Sequence, residues 1–251
     1  NIVSLNKNKM KIDKPKIIYS NKYNSYVKMS SDLQKYGWVN IKNGISKISI
    51  KNLEKEFNEI SHRFCGYKLE VAIKKLNKRN KDKLHELCNL VQKSSSHIKL
   101  INNFEIILKN ITKKKNLIIS LGQFILPGPP KDKRLVYNFH QESSYYKNYR
   151  KTIHFHFPIF NNANLKNGAM SALSKTHKLN RIKKNKIQKK VKGFTSITPK
   201  NINKLTKDFE HVVFDTKLGD LLIFDGNLIH KSNTNFSNNC RIVSVHRMAQ
   251  I

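Results

Sequence analysis

Residues 138–146 read "NFHQESSYY", which sets His140 and Glu142 two positions apart in a segment flanked by β-formers. On a strand, side chains at i and i+2 leave the same face. The spacing therefore predicts one imidazole and one carboxylate side by side on one sheet surface. A second stretch, "IHKSNTNFSNNCR" at 229–241, supplies His230 and, eleven positions on, Arg241. Taken alone, the first pair is a weak signal, because a strand histidine beside a glutamate is common. The question is whether the remaining sequence brings the two stretches together.

The surroundings of both are β-like. From about residue 116 to the end, short apolar runs alternate with turns: "NLIISLGQFIL", stopped by "PGPP", then "RLVYNFHQE", "KTIHFHFPIF", "GAMSALS", "HVVFDT", "DLLIFDG" and "RIVSVHRMAQ". "TIHFHF" alternates polar and apolar, as a half-buried strand does. About eight such strands suit a two-sheet jelly roll. The first third reads differently. "SSDLQKYGWVNIKN" predicts a helix capped at Ser30 or Ser31, ending at Gly37 and running into a strand "WVNI". Ile50, Leu53, Phe57 and Ile60 recur at helical spacing, and 69–94 reads as one further helical stretch with a Lys-rich outer face. The expected organisation is one domain, α+β and mainly β: helical support over 1–115 and a jelly-roll core over 116–251. Between β segments, "RIKKNKIQKKVKG" (181–193) reads either as a solvated basic loop or as a flap over a site for an anionic substrate.

If the strands pair as a jelly roll, His230 completes a triangle with His140 and Glu142. Two imidazoles and one carboxylate on one face of an ion leave three positions open, the arrangement suited to non-haem Fe(II) and O₂. Arg241, on an adjacent antiparallel strand, would clamp a carboxylate bidentately, with the Ser232 hydroxyl as a further donor. Gln123, on the strand before "PGPP", is expected to point into the barrel. Tyr145 and Tyr146 either border a substrate or pack at the barrel mouth. Asp225 reads as a turn cap before Gly226 rather than a partner of a ligand imidazole, and His211 and His246 as ordinary strand residues.

Composition sets the competing class. Lys and Arg number 49 against 16 Asp and Glu, a formal net charge of +33, which attracts polyanions. Lys, Asn and Ile are abundant together, so general Lys enrichment accounts for part of the charge. No zinc-finger or RNA-binding signature accompanies it. The alternative is nevertheless a non-catalytic, metal-containing β-domain that binds a polyanion such as nucleic acid. Cys65, Cys88 and Cys240 show no short pairing, so reduced thiols and a cytoplasmic location are expected. No apolar run approaches the roughly 20 residues of a membrane span, and no signal peptide is visible.

Three blocks resemble the phytanoyl-CoA dioxygenase-like family of Fe(II)/2-oxoglutarate oxygenases: "FHQESSYY" (139–146), "NGAMSALSKTHK" (167–178) and "GDLLIFDGNLIHKSNTNFSNNCRIVSVHR" (219–247). Order and spacing match over roughly 120–251, and "LQKYGWVNI" (33–41) is similar to the family's opening helix and strand. The resemblance implies a double-stranded β-helix of the cupin type. It implies Fe(II) held by His140, Glu142 and His230, and 2-oxoglutarate held by Arg241 with Ser232. It further implies oxidative decarboxylation to succinate, coupled to hydrogen abstraction from a small-molecule substrate with O₂ consumed. The sequence departs from the family pattern in using Glu142 where Asp is commoner. His156 stands where the family often has Trp, so it either lines the 2-oxoglutarate pocket or alternates outward with His154. "SKTH" replaces the usual Pro-Gly approach to a Ser-His, which makes His177 structural or substrate-side rather than a ligand.

Overall fold

A computed structural model describes residues 15–112, 118–132, 136–146, 148–149, 151–183, 185–191 and 194–250. In chain order the elements are β1 (Lys16–Tyr19), α1 (Tyr26–Tyr36), β2 (Trp38–Ile41), α2 (Lys47–Cys65), α3 (Leu69–Arg79), α4 (Lys81–Val91) and α5 (Ser95–Thr112). The β region follows: β3 (Ile118–Gly128), β4 (Lys151–Ile159), β5 (Ser171–Leu173), β6 (Asn185–Val191), β7 (Phe194–Pro199), α6 (Ile202–Asp208), β8 (His211–Asp215), β9 (Leu221–Asp225), β10 (His230–Lys231) and β11 (Arg241–Gln250).

Two sheets face each other as a double-stranded β-helix. One runs β2-β9-β4-β11-β3, the other β1-β8-β5-β10. Alternation along the strands sorts side chains into two layers. On the outer face of the larger sheet, Phe155, Phe157, Ile223, Ile242 and Met248 join Phe57, Leu100 and Phe104 of the helices in one buried cluster. Phe104 stacks on Phe155 at 4.6 Å between ring centroids. Between the sheets, Trp38, Leu222 and Phe224 meet Ala172, Val212 and Phe214. Pro127 is tolerated in β3 because β3 is an edge strand of its sheet.

The helical third contributes two strands: β2 pairs antiparallel with β9, and β1 pairs parallel with β8. "WVNI" is β2, as its pattern predicts. The start of α1 lies earlier than expected: Ser25, not Ser30 or Ser31, caps it by accepting from the Lys28 amide. Gly37 ends that helix at φ +86°, a left-handed conformation that L side chains enter at a cost. The single helix expected over 69–94 is two. Asn80 leaves the helical region at φ −153°, closes α3, and caps α4 by accepting from the Lys83 amide at 2.9 Å. The expected basic loop at 181–193 is largely hairpin: β6 and β7 form a two-stranded sheet of their own. "RLVYNFHQE" is not a full strand over its described residues; an isolated bridge at His140 is its β-structure.

Cys65, Cys88 and Cys240 are free. Among the described residues, no helix is long and apolar enough to cross a membrane.

Candidate metal centre

The two histidines meet through the backbone. His140 and His230 form an antiparallel bridge, each amide donating to the other's carbonyl at 2.9 and 3.0 Å. Their rings lie 4.3 Å apart between centroids. Each ring is oriented by a carbonyl two residues upstream: His140 Nδ1–H donates to the Asn138 oxygen at 2.7 Å and His230 Nδ1–H to the Leu228 oxygen at 2.9 Å. A donating Nδ1 leaves Nε2 with its lone pair free, the state a metal requires.

Glu142 arrives differently from the expectation. It does not share a strand with His140 but opens a 3₁₀ turn, Glu142–Ser144. The turn still delivers its Oε1 to 3.5 Å from His140 Nε2 and 3.8 Å from His230 Nε2. One donor atom from each of the three residues falls within 4.8 Å of the others, and all three are buried. Burial alone would raise the Glu142 pKa, but the Arg247 charge, with the two imidazole rings beside it, outweighs burial and holds the carboxyl well below its usual range. Burial, and then His140 beside it, lowers the pKa of His230. A carboxylate between two imidazoles is a donor set that suits Fe(II).

These residues stand on the wall of a cavity of about 1010 Å³, which Ser232, Arg241, His156, Tyr145 and Tyr146 also line. Arg241 is 6% exposed, and its Nε has no hydrogen-bond partner. Burial pulls its pKa down to about 10. Across the β3–β11 pairing it faces Gly128, where an added Cβ would lie 3.2 Å from Nε and Nη2. Glycine there leaves the guanidinium room to lie over the strand. A buried guanidinium with an unpartnered Nε on a cavity wall is suited to pair with an anion. The loop leading to it is tied by Asn235, which donates to the carbonyls of Gly128 and Asn239 and accepts from Ser237. The Ser232 amide donates to the Tyr137 oxygen at 3.1 Å.

His156 and His154 are both buried inside the barrel, so neither alternates outward. His156 lines the cavity, and burial, then the Arg241 charge, pulls its pKa to about 3. His154 stacks on Phe224 at 5.1 Å. Gln123 does not take its expected place. It pairs in register with His246, on the face turned to the helices, and its amide donates to the Gln92 carbonyl at 3.4 Å. The strand register, continuous from Gly122 to Gly128, turns it toward the helices. Asp225 caps its turn by accepting from the Asn227 amide at 2.8 Å. His177 Nε2 meets the Gln34 carbonyl at 3.0 Å, a tie to α1. His246 lies near Phe104 on the helix side, and His211 packs its ring against Phe139.

Sequence reading passed over Arg247 as a site residue. It stands six positions after Arg241 on one strand, an even number that puts both on the cavity face. Its Nη2 donates to Glu142 Oε1 at 3.1 Å. Burial works against that charge, but Glu142 and Tyr146 beside it outweigh the loss and raise its pKa. Phe124, Tyr137 and the rim from α4, including His85 and Asn89, were equally unmarked.

Comparison with known proteins gives the family and the fold. Residues 33–243 match the family model described as Phytanoyl-CoA dioxygenase (PhyH). No curated protein matches the chain significantly. Among solved structures, the chain is similar to EctD from S. alaskensis with 2-oxoglutarate and 5-hydroxyectoine, at 12% identity and TM-score 0.61, covering 92% of this chain and 79% of that one. It is similar to the epimerase SnoN in complex with Fe3+, alpha ketoglutarate and nogalamycin RO, at 10% identity and TM-score 0.60, covering 89% and 83%. EvdMO1 matches at 14% identity and TM-score 0.61 over 90% of this chain; the chain spans about half of its length, 50%.

Proposed function

The chain belongs to the phytanoyl-CoA dioxygenase family of Fe(II)/2-oxoglutarate-dependent oxygenases, and we propose from that premise that it hydroxylates a small organic molecule bound beside the His140–Glu142–His230 triad. The observation that carries the reading is the sharing of one cavity by that triad and the unpaired Arg241 guanidinium. His140 and His230, through Nε2, and Glu142, through Oε1, would hold the iron. Arg241 would grip the far carboxylate of 2-oxoglutarate, with the Ser232 hydroxyl as a second donor and His156 alongside as a neutral wall. SnoN has been solved with Fe3+ and alpha ketoglutarate, and EctD with 2-oxoglutarate, on the same fold. When bound, Fe(II) would activate O₂, the oxidant, which takes two electrons from 2-oxoglutarate as that becomes succinate and CO₂ and two from the substrate C–H as it is hydroxylated.

The chain's own part is binding, orientation and exclusion of water. Phe124, Leu126, Met170 and Val245 give the cavity an apolar wall on which a substrate C–H can be held. At about 1010 Å³ it sits at the upper end of small-molecule pockets and leaves room for a sizeable substrate after 2-oxoglutarate is seated. The carboxylate at 142 occupies the position that a halogenating relative would open to halide, which supports hydroxylation or another hydrogen-abstraction outcome. Protein reconstituted anaerobically with Fe(II) should bind 2-oxoglutarate and release succinate on exposure to O₂. The His140→Ala/His230→Ala variant should do neither; succinate at the wild-type rate from that variant would overturn the proposal.

A further inference from the structure

Glutamate has one more rotatable bond than aspartate, so a glutamate ligand needs something to hold its arm back. The oxygen of Glu142 that faces both imidazoles, Oε1, is the one to which Arg247 Nη2 donates at 3.1 Å. Arg247 is itself fixed on several sides. Nη1 donates to Tyr146 Oη at 3.1 Å, and the guanidinium carbon lies 4.3 Å from the centre of the Phe124 ring. Its backbone is paired to β4 at His154 and to β3 at Gly122, beside a β-bulge, the kind of irregularity that re-aims a side chain. The side chain is 16% exposed.

We propose that Arg247 is a positioning residue: its planar fork pins Glu142 Oε1 between the imidazoles so that the carboxylate offers a metal one oxygen and no more. The inference rests on the reading of His140, Glu142 and His230 as metal ligands. A carboxylate oxygen has two lone-pair directions, and Arg247 occupies one of those on Oε1, leaving the other for the ion. Without that anchor the longer arm is free to swing Oε1 out from between the imidazoles, so a metal must order the carboxylate as it binds and is held more weakly. A rival role has the opposite sign. If Arg247 only neutralises the carboxylate, its positive charge repels a divalent cation, and removing it strengthens metal binding.

Titration with Co(II), followed by its ligand-field absorption, separates the two. Arg247→Gln should bind Co(II) roughly 10- to 100-fold more weakly than wild type, with an altered band, as loss of an orienting partner does elsewhere. Equal or tighter binding with an unchanged band would overturn the inference while leaving the ligand assignment intact. A wild-type protein that takes up no Co(II) would overturn the ligand assignment itself and this inference with it. Should Arg247→Gln fail to fold, Arg247→Lys decides: it keeps the charge but lacks the fork that reaches Glu142 and Tyr146 together. A loss of about tenfold or more supports positioning, and wild-type affinity overturns it.

Discussion

Replacing Arg241 with methionine would test the cosubstrate pocket. The guanidinium is buried with an unpartnered Nε, and burial pulls its pKa down to about 10. That shift corresponds to about 3 kcal/mol by which burial disfavours the charge. The chain thus bears the desolvation of this group before any ligand arrives, and a carboxylate that pairs with it recovers the loss. Truncating one partner of a buried charge pair costs about 2–5 kcal/mol, a range that contains the same figure. At 1.4 kcal/mol per decade, Arg241→Met should raise the dissociation constant for 2-oxoglutarate by roughly 100-fold. Calorimetric titration of 2-oxoglutarate into protein loaded with Zn(II), which does no redox chemistry, reads this without turnover. The metal-free variant, relieved of a buried unpaired charge, should resist urea as well as wild type or better. Affinity unchanged within about threefold would refute the cosubstrate assignment, and a marked loss of metal-free stability would show that the guanidinium is paired in the resting protein.

Other outcomes follow from the packing. Phe104→Ala removes a ring that is 1% exposed and stacked on Phe155, and should cost about 3–5 kcal/mol in urea unfolding. Gly168 sits at φ +86°, where an added Cβ would come within 2.5 Å of the Asn233 carbonyl oxygen. Gly168→Ala should therefore cost about 1–3 kcal/mol from backbone strain alone and weaken 2-oxoglutarate binding by shifting the loop between Ser232 and Arg241; wild-type stability and affinity would refute this. Burial pulls His246 to about 4, whereas an unfolded histidine takes its proton near 6.5. The folded state therefore binds fewer protons between those values, so this contribution is complete above about pH 6.5 and drains away as pH falls to about 4, by up to about 3 kcal/mol. His97, lowered by burial while its Nδ1–H donates to the Gln92 carbonyl and its Nε2 meets Ser244 Oγ, acts in the same direction. A urea midpoint independent of pH across that window, or one unaffected by His246→Phe at its lower end, would contradict the assignment.

Much of the architecture was legible because its causes are local. The alternation in "TIHFHF" puts Phe155 and Phe157 on one face and His154 and His156 on the other, and β4 buries the two sets in different layers. The break of a long helical pattern at Asn80 was less visible, because asparagine closes one helix and caps the next without any interruption of helical spacing around it. The "NG" at 167–168 has a physical reason that only coordinates display. Asn167 and Asn164 cap each other, and Gly168 takes a left-handed turn against the loop that carries Asn233.

The amino-acid order by itself determined which chemistry was available: two histidines and a carboxylate at family spacing, an arginine eleven positions beyond the second histidine, and strands enough to close a jelly roll. Tertiary structure decided which of these groups meet. A strand pattern specifies two faces, but partner and register depend on hydrogen bonds between residues such as 140 and 230, ninety positions apart. The same register sends Gln123 toward the helices and Arg247 onto Glu142. Strand spacing gives each side chain a face, but the group it meets there cannot be read from neighbours in the chain, because the pairing that sets it arises only when distant strands align.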